Sequence, residues 1–124
     1  MTRRPDDARE RGTATGPTAD RPAVGHSLTD ADVAADVETL ATLGNDTRYE
    51  ALRLIAGADG GVCVCELEPS LGVSQGAVSQ ALSRLFSAGL VERRKEGRWR
   101  YYTATPRAER LLRVLDETRE VDDD

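Results

Sequence analysis

The stretch "GVSQGAVSQALSRLFSAGLVERRKEGRWRYYTA", residues 72–104, is compatible with few folds. Gly72 marks a tight turn, Ser74 is placed to cap a new helix, and Val78, Leu82 and Leu85 recur at the spacing of one buried helical stripe. Gly89 then closes that helix in the left-handed conformation that glycine adopts without a Cβ clash. A two-residue reversal at Glu96-Gly97 predicts a β-hairpin directly afterwards. Two helices joined by a short turn containing glycine, followed at once by a hairpin, describe a winged helix-turn-helix. The expected class is therefore mainly α with a small β-hairpin.

The flanking segments supply the other helices. "SLTDADVAADVETLATLG" opens with a capping-box pattern at Thr29 and Asp32 and carries Val33, Val37, Leu40 and Gly44 at helical spacing. "NDTRYEALRLIAG" places Asn45 as an N-cap and Leu52, Ile55 and Ala56 on an apolar face, ending at Gly57 or at Gly60-Gly61. A short helix from roughly Glu66 to Leu71 contains Pro69, which is tolerable only near a first turn, so it must begin close to the cysteines. "PRAERLLRVLDETREVDDD" starts at Pro106 and sets Ala108, Leu111, Leu112 and Leu115 on one stripe. The first and last helices are each apolar on one side. They are predicted to pack together and against a second copy, a homodimer that would offer two recognition helices to a palindromic DNA site.

With aromatic residues at only 4%, the core must be aliphatic. Residues 1–26 mix Thr, Gly, Pro, Asp and Arg and are expected to form a disordered arm, residues 27–118 the folded DNA-binding and dimerisation domain, and residues 119–124 an acidic tail. No run approaches the roughly 18 apolar residues of a membrane helix, and the charged start resembles no signal sequence, so a cytoplasmic protein without membrane partners is expected.

The net charge of −5 argues against nucleic acid until it is read by segment. Residues 27–73 hold nine acids and two bases, whereas Ser74 to Thr105 hold six bases and two acids. Lys95 is the only lysine among 17 bases, a composition that points to a halophilic, high-salt cytoplasm. On the fourth helix, Ser74, Gln75, Gly76, Ser79, Gln80 and Ser83 form a polar face of the kind that hydrogen-bonds base edges in a major groove. Pairing across a Glu96-Gly97 turn puts Arg93, Lys95, Arg98 and Arg100 on one face of the wing, where they suit phosphates. Trp99 and Tyr101 take the opposite face with Glu92 and Arg94.

Both cysteines lie in "VCVCEL", one residue apart at Cys63 and Cys65. Such a pair can be packing, a redox couple or half of a metal site. A reducing compartment and the strain of a bridge across one residue disfavour a disulfide. As thiolates the pair would select soft ions, and a helix N-terminus would lower the thiol pKa. Residues i and i+2 of a regular helix point about 200° apart, so gripping one ion is expected to require extended chain from Cys63 to Cys65 and an unwound helix start.

"LATLGNDTRYEALRLI" and "CVCELEPSLGVSQGAVSQALSRLFSAGLVERRKEGRWRYYTAT" resemble the ArsR/SmtB family of metal-sensing repressors over about residues 35–105. The resemblance implies a homodimeric winged-helix repressor, not an enzyme, that needs no cofactor and leaves its DNA operator when an inducer binds. In the arsenic- and antimony-responsive branch, cysteines of the "CVCEL" type are the inducer ligands, which implies Cys63 and Cys65 for As(III) or Sb(III). Departures are also plain. Glu68 stands where that branch has a third cysteine, residues 106–124 contain no histidine for a zinc site, and the arm contributes no cysteine; water, Glu66, Glu68 or His26 would complete the ligand shell. Two rival classes share parts of this pattern: a metal-independent winged-helix regulator with packed cysteines, and a small dithiol oxidoreductase, which would need a Cys-x-x-Cys helix start that is absent.

Overall fold

The computed structural model describes residues 24–122. Most of the expected arm, residues 1–23, lies outside the described residues, as do 123 and 124. The elements run α1 (Asp30–Leu43), α2 (Asp46–Ala56), β1 (Val62–Cys63), α3 (Val64–Leu71), α4 (Gln75–Ser87), β2 (Val91–Glu96), β3 (Trp99–Ala104) and α5 (Pro106–Asp122). This is the expected winged helix-turn-helix with one addition, a short strand that joins the hairpin in an antiparallel sheet of order β1-β3-β2. Helix α5 continues to Asp122, through residues expected in the acidic tail.

The caps explain the boundaries. Thr29 and Asp32 exchange hydrogen bonds of 3.0 Å each with the other's amide, completing the capping box of α1. Asn45 Oδ1 accepts from the Arg48 amide at 3.0 Å to start α2, and Ser74 Oγ accepts from the Ala77 amide at 3.1 Å to start α4. At the far end of α4, Gly89 takes φ 75. Its amide donates to the Phe86 carbonyl at 3.0 Å, while the Leu90 amide reaches back to the Leu85 carbonyl at 3.0 Å. Thr105 fastens α5 to this turn: its Oγ1 donates to the Gly89 carbonyl at 3.0 Å and accepts from the Ala108 amide at 3.2 Å.

The core is aliphatic, with Ala51, Leu52, Ile55, Leu67, Val78, Leu82, Leu85 and Leu90 buried where α2, α3 and α4 meet. Tyr102, Ala108 and Leu112 close it from the sheet and α5. An ion pair ties α5 to α2: Arg53 donates to both carboxylate oxygens of Asp116, at 2.8 and 3.1 Å, and to Tyr49 Oη at 2.8 Å. Arg53 holds the Asp116 carboxyl below the usual carboxylate range, and Arg119 adds to the effect.

Helix α1 turns its apolar stripe away from the core of the single chain. Its buried residues are Thr39 and Thr42, whose hydroxyls donate to the carbonyls of Ala35 and Glu38, while Val33, Val37 and Leu40 stay exposed. Arg48 sets this rotation by donating to the Thr42 carbonyl at 2.7 Å and the Ala41 carbonyl at 3.2 Å, which hooks the end of α1 onto α2. The outward face of α5 also leaves Val114 and Leu115 exposed.

Candidate nucleic-acid interface and its cysteine pair

Helix α4 follows α3 through Gly72-Val73-Ser74, and Gly72 adopts φ 71 to make the turn. Val78, Ala81, Leu82 and Leu85 bury one side of α4, which leaves Ser74, Gln75, Gly76, Ser79, Gln80 and Ser83 exposed together on the other. Every residue placed on the polar face by the sequence lies there. Gln80 and Ser83 also line a groove with Asn45, Thr47, Arg48 and Arg84, between α4 and the start of α2. Thr47 and Arg84 were not singled out in the sequence, because nothing local shows that α2 begins beside α4.

The wing needs one correction. The strands pair Glu96 with Trp99, Lys95 with Arg100, Arg94 with Tyr101 and Arg93 with Tyr102, so the reversal is Gly97-Arg98 and not Glu96-Gly97. Gly97 takes φ 63, a conformation strained for Glu96 but not for glycine. Moving the turn by one residue shifts each cross-strand partner by two, and side chains alternate with period two, so every strand residue keeps its expected face. Arg93, Lys95 and Arg100 share one face, Trp99 and Tyr101 the other, and Arg98 moves to the tip. The cations are not equally free. The Arg93 guanidinium lies 4.1 Å from the Phe86 ring centroid, and Arg94 donates to Glu96 at 2.8 Å and to the Gly60 carbonyl at 3.3 Å.

The cysteines sit where α3 begins. Cys63 ends β1 opposite Tyr101 and is buried, with extended backbone (φ −77, ψ 145). It is also the N-cap of α3, which starts at Val64, two residues before the expected Glu66. Its Sγ accepts from the Cys65 amide at 3.3 Å, and its own amide donates to Glu66 Oε1 at 2.9 Å. Pro69 thus falls in the second turn, where it removes the amide that would bond the Cys65 carbonyl.

Cys65 is exposed, and its amide donates to the Cys63 sulfur. The Cys63 side chain, then desolvation, then the charges of Cys63 and Glu66, push the Cys65 thiol up. The neighbours outweigh the helix terminus, contrary to the lowering expected from sequence. Cys63 stands outside the regular helix as its cap, with extended backbone, and its Sγ folds back onto the Cys65 amide.

Among the described residues no three His, Cys, Asp or Glu side chains are gathered to hold a metal ion. Glu66 is engaged with the Cys63 amide, His26 Nδ1 accepts from the Leu28 amide at 3.0 Å, and Glu68 lines the cleft beside the cysteines. Gln75, Arg98, Trp99 and Arg100 line the same cleft. No described helix is long and apolar enough to cross a membrane.

A recognition helix with a free polar face, a cationic wing and an aliphatic core define a winged helix-turn-helix DNA-binding regulator. The family model described as "Bacterial regulatory protein, arsR family" matches residues 45–93. Over 87 residues the chain is 64% identical to a Halobacterium salinarum protein with the provisional name arsenical resistance operon repressor ArsR2, covering 70% of this chain and 73% of that one. A second protein of that organism, provisionally named arsenical resistance operon repressor ArsR, is 48% identical over 85 residues, 68% of this chain and 66% of that one. The solution structure of the homodimeric winged helix-turn-helix DNA-binding domain of Mb0332 from Mycobacterium bovis superposes with a TM-score of 0.67 at 27% identity, covering 75% of this chain and 88% of that one. The chain belongs to the ArsR family of transcriptional regulators. The acidic, lysine-poor composition agrees with relatives from a halophile.

Proposed function

We propose that this chain is a homodimeric repressor whose operator is released when a thiophilic metalloid, arsenite or antimonite, binds Cys63 and Cys65. The observation that carries the reading is the cysteine pair itself: two free cysteines, one buried as the cap and one exposed in the first turn, at the start of the helix that leads through Gly72 into the recognition helix. The names of the Halobacterium relatives point the same way. Soft, trigonal As(III) or Sb(III) takes two sulfurs readily, with water or Glu68 at a third position. A panel of arsenite, antimonite, cadmium and zinc, each titrated into an operator complex, tests the assignment. Release by zinc alone contradicts it.

On DNA, Ser74, Gln75, Gly76, Ser79, Gln80 and Ser83 face the bases, and Arg93, Lys95, Arg98 and Arg100 hold phosphates. The groove with Thr47 and Arg84 would seat a flanking phosphate. Dimerisation would cover Val37 and Leu40 of α1, 56% and 67% exposed, with Val114 and Leu115 of α5. The folded DNA-binding and dimerisation unit is assigned to residues 27–118, with α5 continuing beyond it.

A second reading, a metal-independent regulator, draws on the structural duties of Cys63, which is buried and caps α3. An operator complex indifferent to every thiophilic ion would favour it.

A further inference from the structure

Among the described residues three arginines stand over an aromatic ring, and their donors are used differently. Arg53 lies 5.3 Å from the Tyr49 ring centroid and is paired with Asp116, and Arg94 lies 5.3 Å from that of Tyr101 and is paired with Glu96. Arg93 stacks more closely, 4.1 Å from the Phe86 centroid, and takes part in none of the described ion pairs. A guanidinium stacked through its flat face keeps its N–H groups along the edge, and that edge matches a phosphate. Of the three, Arg93 is the one whose charge meets no described carboxylate.

Phe86 is placed for this stack and is not needed by the core. It is the only phenylalanine of the chain, 40% exposed at the end of α4 and outside the aliphatic cluster. Ser79, Ser83 and Phe86 follow at i, i+4 and i+7, so the ring extends one edge of the recognition helix toward the root of the wing. Ser79, Ser83, Arg93 and Arg100 line the groove between α4 and the wing, above the buried Leu82 and Tyr102, and no carboxylate lines it. Two guanidiniums in a groove without an acid favour an anion there.

We infer that Phe86 is a positioning residue for DNA binding: its ring holds the Arg93 guanidinium at the junction of recognition helix and wing and leaves the edge of that group to a backbone phosphate. The inference rests on the reading of Arg93 as a phosphate contact. A long side chain that grips a phosphate loses rotamer freedom, and a ring that already holds it removes part of that loss before DNA arrives. The ring is neutral, so it adds nothing to the number of phosphates neutralised. Affinity and salt dependence therefore separate Phe86 from Arg93, since only the loss of a cation changes the salt slope.

The test uses the full-length chain and a duplex selected by the wild type from a random pool, with Kd measured by fluorescence anisotropy over a series of potassium chloride concentrations. Phe86→Leu is expected to raise Kd about 2–5-fold per subunit, the factor of an exposed cation–π contact, and to keep the salt slope of wild type. Arg93→Ala is expected to raise Kd and to lower the slope by about one per subunit. In the double variant the Phe86 change adds nothing further, and Phe86→Tyr, which keeps a ring beneath the guanidinium, binds like wild type. Wild-type affinity in Phe86→Leu beside a weakened Arg93→Ala overturns the inference and leaves the phosphate reading of Arg93 standing. Wild-type Kd and slope in Arg93→Ala overturn both. A loss in Phe86→Leu that persists in full on the Arg93→Ala background, or that Phe86→Tyr shares, assigns the ring a packing role and overturns the positioning inference.

Discussion

The Cys65 amide donates to Sγ of Cys63 at 3.3 Å, so one thiol of the pair is also the cap of the helix that carries the other. The two cysteines therefore have unequal structural weight. Cys63→Ala removes the cap and leaves a small void, with an expected loss of about 0.5–2 kcal/mol. Cys63→Ser, which supplies an oxygen cap, should lose less. Cys65→Ser, on the exposed side, should stay within about 0.5 kcal/mol of wild type. Urea denaturation of the three variants checks the order.

Base and phosphate roles separate by salt. Gln80→Ala should cost about 1–3 kcal/mol on the selected site and relax one base position, while Arg98→Ala should weaken all sequences alike and lower the salt slope by about one. Binding isotherms from low to high potassium chloride measure both. Identical, sequence-independent losses in the two variants would contradict the division. At about 1 M salt the screening length is roughly 3 Å, so base contacts should carry most of the remaining discrimination.

Arg93 is the cation expected to break the pattern of the wing. Its guanidinium stacks on Phe86 at the end of the recognition helix, so Arg93→Ala should lower stability as well as DNA affinity, by about 0.5–1 kcal/mol for an exposed cation–π pair. Lys95→Ala should lower affinity alone. Thermal melts beside DNA titrations distinguish the two.

The ion pair between α2 and α5 has a pH signature. Asp116 is held below its ordinary pKa by Arg53 and Arg119, so its contribution is fully present above the unfolded carboxylate value of about 3.9 and is lost as pH falls through the lower folded value. Asp116→Asn should therefore be less stable than wild type at neutral pH and low salt. The difference should shrink as pH drops below the normal carboxylate range. A gap that persists into strong acid would mean that packing, not charge, is lost.

Local chemistry made part of this legible in advance. Gly89 announced a left-handed helix end, and the hydrogen bonds from Gly89 and Leu90 are the consequence. Ser74, Asn45 and Thr29 announced helix starts because their side chains satisfy free amides. The rest depends on distant partners. Burial of Thr39 and Thr42 goes with Arg48, six residues beyond Thr42, hooking the end of α1 onto α2. Strand β1 is two residues long and exists only because β3 lies beside it. The cleft that unites Cys65 with Gln75 and Arg98 needs three separate elements in place, and no spacing rule brings them together.

The exposed apolar faces of α1 and α5 are expected to close on a second copy. Leu40→Glu should convert a dimer into a monomer and abolish operator binding while leaving helix content intact, since Leu40 is outside the core of the single chain. Light scattering on the two proteins at equal concentration gives the answer. An unaltered dimer would place the interface elsewhere.

If Cys63 and Cys65 convert the binding of a thiophilic metalloid into release of DNA, replacing either cysteine must uncouple the two events. The most direct measurement is fluorescence anisotropy of a labelled operator duplex, titrated with antimonite in the presence of wild type, Cys63→Ser or Cys65→Ser. Release from wild type and retention by both variants are expected, each starting from an operator complex that forms without inducer. Release from either variant at the inducer concentration that empties wild type would contradict this role for the pair.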